Sequence, residues 1–124
     1  MDGYRVLMDR ARKNLELAKR YRKEKNFEVA ILLYSKALES TLRAMYKRSK
    51  GKYAPKSASL QYIANATELP KEVEDYIISV TEPKVGRNGD AFDVLDMNVT
   101  KSSMSLYMDG LAKYMLDYAA SNRN

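Results

Sequence analysis

Apolar residues recur at helical spacing along most of this chain. Between Asp2 and Glu24, Tyr4, Leu7, Met8, Ala11, Leu15, Ala18 and Tyr21 fall three or four apart, and the positions between them are largely Arg, Lys and Glu. That period gathers the apolar side chains on one face of a helix. A second helix is predicted from Phe27 to about Arg48, with a wider face of Phe27, Ala30, Ile31, Leu33, Tyr34, Ala37, Leu38, Leu42, Met45 and Tyr46. The width marks it as the most buried helix. Asn26 is the expected N-cap and Glu28 brings negative charge into the first turn. Gly51 is the expected left-handed stop. The short link at Lys25–Asn26 predicts an antiparallel hairpin of the two helices.

Residues Gly51 to Ser57 read as a basic loop, with Ser57 as the cap of a short third helix containing Leu60, Tyr62, Ile63 and Ala66. Pro70 suits the first turn of a fourth helix. Its face is Val73, Tyr76, Ile77 and Val80, and Pro83 ends it. Glu82 to Val99 reads as a long connection with turn chemistry at Gly86, Asn88, Gly89 and Asp90; whether Ala91–Leu95 adds a helical turn stays open. The last helix is predicted from about Lys101 to Ser121. Its inner stripe is Met104, Tyr107, Met108, Leu111, Ala112, Met115, Tyr118 and Ala119. No useful stretch alternates with period two. The expected fold is all-α: an antiparallel up-and-down bundle of about five helices, forming a single domain over residues 1–124.

Composition narrows the chemistry. The 124 residues contain no Cys and no His. Disulfides and thiolate chemistry are excluded, and the commonest general base and metal ligand are missing. The opening MDGYRVLMDRARKNL lacks the apolar core of a signal peptide, and no apolar run is long enough to span a bilayer. A cytoplasmic protein with no membrane partner is expected. The net charge of +6 is uneven: residues 1–56 hold 16 of the 22 Lys and Arg against 6 of the 16 Asp and Glu. Such a basic half can steer an anionic ligand. It can equally be the solvated outer face of two long helices. The densest positive run, Lys47-Arg48-Ser49-Lys50-Gly51-Lys52-Tyr53-Ala54-Pro55-Lys56, interleaves a tyrosine able to stack on a base. Lys50, Lys52 and Tyr53 are therefore candidate ligand contacts. No metal site or cofactor is expected. Neither Glu72, Glu74 and Asp75 nor Asp90, Asp93 and Asp96 follow a metal-binding pattern.

The second helix bears a family resemblance. Ala30, Ala37, Glu39, Leu42, Arg43 and Ala44 fit a spaced pattern of Ala, Ala-x-Glu and Leu-Arg-Ala. Leu15-Glu16-Leu17-Ala18 precedes a short polar turn, and Leu69-Pro70-Lys71-Glu72 opens a later helix. In these features the chain resembles HEPN domains, which are small helical bundles, over roughly residues 5–120. The stretch Asn26–Glu39 is also similar to a tetratricopeptide helix, with Tyr34-x-x-Ala37-Leu38-Glu39. An array of that kind needs about three repeats, and at most one is present.

The resemblance implies further properties. Many HEPN domains are metal-independent ribonucleases with an Arg followed a few residues later by a His. Arg87-Asn88 matches the opening of that motif, but the His would stand at Phe92, Asp93 or Val94 and does not. Cleavage through a 2′-hydroxyl needs a proton shuttle near neutral pH, and Asp93 would need a strongly raised pKa to serve. Arg87 retains a planar fork for phosphate, so Arg87, Asn88 and Asp93 are candidate anion contacts. The expected function is a non-catalytic binding module that contacts nucleotide or RNA. Its implied associates are a second copy of itself, through apolar helix faces, and a nucleotidyltransferase-type protein of toxin–antitoxin systems; the stripe Met104, Met108 and Met115 reads as core or dimer surface rather than a cofactor site. The alternatives are a tetratricopeptide-like adaptor with a groove along helices one and two, and a weak RNA-directed enzyme using Arg87 and Asp93.

Overall fold

The computed structural model describes the backbone of residues 3–67, 69, 71, 74, 75 and 94–121, with side chains at 61 and 94–100 excepted. Four helices are defined, α1 (Gly3–Lys23), α2 (Phe27–Lys50), α3 (Leu60–Ala66) and α4 (Val94–Ser121). Among the described residues there is no strand. The expected fourth helix, with Tyr76, Ile77 and Val80, lies outside the described residues apart from isolated positions.

The apolar periods translate into burial. On α1, Leu7, Met8, Ala11, Leu15 and Ala18 are buried. On α2, Ala30, Tyr34, Ala37, Leu38, Leu42, Ala44 and Tyr46 are buried, together with Ser40 and Thr41. Thr41 directs its hydroxyl back to the carbonyl of Ala37 at 2.8 Å, which removes the cost of burying it. The small side chains Ala11, Ala18, Ala30 and Ala37, all 0% exposed, let the helices approach closely. α2 is the central helix: α1, α4 and α3 all pack on it, and α4 also touches α1.

Three cross-helix pairs set the direction of α4. Lys101 meets Glu28, Asp109 meets Tyr34, and the Ala119 carbonyl meets Arg48. The partners climb together along both chains, so α4 runs parallel to α2 and antiparallel to α1. The start of α1 therefore lies beside the C-terminal ends of both α2 and α4.

The helix ends refine the sequence reading. Asn26 stands at the N-cap of α2, but its side chain makes no capping hydrogen bond. Ser59, not Ser57, caps α3 by accepting from the Tyr62 amide at 3.1 Å. Ala58 is already engaged in a turn with the Pro55 carbonyl, which carries the chain past Ser57 before the helix can start. α4 begins at Val94, several residues before the expected start near Lys101. Val94, Asn98, Val99 and Thr100 are modest helix formers, but no Gly or Pro interrupts them, so their penalties of a few tenths of a kcal/mol each do not break the helix. On its inner stripe Met108, Ala112, Met115 and Ala119 are buried, and Leu116 joins them. Tyr107 does not: it is 57% exposed on the outer face.

Candidate anion-binding surface

The basic loop after α2 is built on one guanidinium. Arg43 lies on α2, with its side chain only 17% exposed. Its Nε donates to Glu39 at 3.0 Å, which is one helical turn away and fixes the fork. The remaining nitrogens donate to the carbonyls of Pro55, Lys56 and Ala58 at 3.2 to 3.4 Å. A planar group with several directed donors can bind such a cluster of carbonyls; an ammonium cannot reach them together. Leu42 and Ala44 on either side are buried in the core. The Leu42-Arg43-Ala44 motif thus anchors the loop that follows the helix.

Gly51 ends α2 in the left-handed conformation at φ 75°, with its amide donating to the Lys47 carbonyl at 2.9 Å. Lys47 closes the same turn from its side chain, donating to the Gly51 carbonyl at 3.4 Å. Its ammonium also sits over the Tyr53 ring, 4.6 Å from the centroid. Ala54 is buried and pins the loop to the bundle. Lys50, Lys52, Tyr53 and Lys56 remain exposed.

Charge concentrates here by sequence and by topology. Residues 40–67 contain six Lys and Arg and no Asp or Glu. The carbonyl ends of α2 and α4 lie at the same end of the bundle, and part of the charge neutralises them. Arg48 donates to the Ala119 carbonyl at 3.3 Å and stacks on the Tyr4 ring at 3.7 Å, while the Tyr4 hydroxyl donates to the same carbonyl at 2.8 Å. Arg48 is thereby committed to structure. Lys50, Lys52 and Lys56 are exposed, so they are able to meet an anion.

The candidates divide accordingly. Lys50, Lys52 and Tyr53 come together on one loop. Arg87, Asn88 and Asp93 lie outside the described residues. Of the two acidic sets, only Glu74, Asp75 and the backbone of Asp96 fall within them, and no group of three acidic side chains among the described residues is placed to hold a metal ion. No helix of the described residues is long and apolar enough to cross a membrane. Sequence reading missed Arg43 as the loop anchor. Its spacing from Glu39 was visible, but the carbonyls it binds are 12 to 15 residues away. It also missed a polar network in the core. Tyr34, 0% exposed, accepts from Arg22 Nε at 3.1 Å and donates to Asp109 at 2.9 Å. Burial is the main cause that raises the Tyr34 pKa above 10.0; the Arg22 hydrogen bond acts against it, and Asp109 acts with it.

The groove expected of a tetratricopeptide-like adaptor is not formed along α1 and α2, whose apolar faces are closed against each other and against α4. Compared with known proteins, the family model described as HEPN domain matches residues 4–103, most of the chain. No curated protein and no solved structure matches it. The chain belongs to the HEPN domain family.

Proposed function

We propose that this HEPN domain is a binding module that holds RNA or a nucleotide on the basic loop after α2 and does not cleave it. The observation that carries the reading is the loop itself. Three exposed lysines flank an exposed tyrosine on a backbone fastened by Arg43 and Lys47. Holding the loop in advance lowers the ordering cost of binding, and lysines so placed recognise phosphate as point charges. Cleavage is left out of the reading because the chain supplies no imidazole, and general acid–base chemistry on a ribose needs a group poised near neutral pH.

The test uses a labelled RNA with the intact protein and with Lys50→Glu/Lys52→Glu. Binding by the wild type, weakened at least about tenfold in the double variant, with the RNA recovered at full length, is the expected result. Equal binding by both proteins removes the loop from the reading; shortened RNA removes the non-catalytic part.

Self-association belongs to the same reading, for a separate reason. Leu106, Tyr107 and Tyr114 are 60%, 57% and 43% exposed on the outer face of α4, and Gly110 on that face leaves open space above the helix. Exposed apolar patches of this kind mark interaction surfaces. A second copy meeting α4 against α4 is expected, and light scattering that gives a monomer mass at high protein concentration would exclude it. A nucleotidyltransferase-type protein is a further expected partner, supported by family membership alone.

A further inference from the structure

Tyr53 is exposed yet fixed. Its residue is 61% open to solvent, a state that usually leaves a side chain free to rotate. Here two neighbours hold it. Lys47 covers one face of the ring. The hydroxyl end lies over Gly3 at the start of α1, where an added methyl carbon would meet the Tyr53 hydroxyl and come within 2.7 Å of its Cζ. Only a residue without a side chain lets the ring lie there. Lys47 is itself tied to the Gly51 carbonyl, so the ring, the cation and the loop form one unit. Lys52 and Lys56, both exposed, flank Tyr53 along the same loop.

We propose that Tyr53 is a stacking platform for an unpaired base, and that this surface selects single-stranded nucleic acid. The proposal rests on the anion-binding reading of the loop and makes it specific. A phosphate alone needs the lysines but has no use for an aromatic face. A duplex offers phosphates, but its bases are already stacked on each other. A single strand offers both, a π-face for the ring and a phosphate on either side for Lys52 and Lys56. Lys47 and Gly3 are positioning residues: neither meets the base, and both set where the ring stands.

The experiment measures anisotropy of three labelled probes of equal length, about 10 nucleotides: a single-stranded RNA, the same strand in a duplex, and an abasic strand with phosphates only. A single-stranded DNA of the same sequence shows whether the sugar matters. The wild type should favour the single strand over the abasic strand by about tenfold, the size of one base–aromatic stack. Tyr53→Ala should abolish that preference and leave the abasic and duplex affinities unchanged, while Tyr53→Phe keeps it. Gly3→Ala should lower single-strand affinity alone, because the added methyl displaces the ring. Lys52→Ala should weaken all probes together. If all probes bind alike and Tyr53→Ala changes none of them, stacking is overturned and the lysine surface stands. If no probe binds, both fall. Circular dichroism melts check that each variant is folded, and the paired Ala and Phe variants at Tyr53 decide the matter even if Gly3→Ala is unstable.

Discussion

At the scale of a residue, Tyr34 shows how a buried hydroxyl is tolerated. It is enclosed among apolar side chains, yet its oxygen both accepts from Arg22 and donates to Asp109, so neither its lone pair nor its proton is stranded. Arg22 and Asp109 also approach each other at 3.8 Å, and one hydroxyl thereby joins α1, α2 and α4. Tyr34→Phe keeps the ring volume and removes that junction. It should destabilise the protein by about 1 kcal/mol at neutral pH, measured by urea unfolding. The pH dependence has a definite sign. The folded state holds the Tyr34 proton more tightly than the unfolded state, so its contribution is complete below pH 10.0 and is lost as pH rises through the higher folded value. The stability gap between wild type and Tyr34→Phe should be flat up to about pH 10 and shrink above it. That Tyr34 would be buried was legible from its place on the α2 face. That Arg22 and Asp109 would complete it was not, since they lie 12 and 75 positions away and nothing local links the three.

At the scale of an element, the helix ends show where local chemistry decides and where it does not. α1 ends in two nested hydrogen bonds, from Asn26 to the Tyr21 carbonyl at 2.8 Å and from Lys25 to the Arg22 carbonyl at 3.0 Å. This Schellman turn needs a left-handed residue, and the residue there is Lys25, at φ 64°. α2 uses Gly51 for the same purpose. Lys25→Gly should therefore stabilise the protein by about 0.5–1 kcal/mol, and Gly51→Ala should destabilise it by about 1 kcal/mol. Nothing lies within 4 Å of a methyl group at Gly51, so the second effect is one of backbone alone. Thermal melts read both signs. The α2 stop was legible because glycine announces such a turn, whereas the α1 stop was hidden behind a residue with no preference for it. The start of α4 was misplaced for the converse reason: Asn98 to Thr100 are weak helix formers, but with no Gly or Pro among them the helix runs through.

At the scale of the molecule, topology gathers charge that the sequence only distributes. The excess of Lys and Arg in residues 1–56 was plain from counting, and so was the all-helical fold. What counting does not give is that α4 lies parallel to α2 and brings two helix C-termini to the end that bears the basic loop. There Arg48 serves the Ala119 carbonyl, Lys47 serves the loop, and Lys50, Lys52 and Lys56 are exposed. The division between structural and available cations could be drawn only with the helices in place. The most direct measurement is the affinity of the intact chain for a single-stranded RNA as salt is raised. Two to three phosphate contacts give a falling line of log affinity against log salt, with a slope of roughly −1.5 to −2. That slope should flatten when Lys50 and Lys52 are replaced by glutamate. An affinity indifferent to salt, or one whose slope survives the double replacement, would contradict a basic loop built to hold a polyanion.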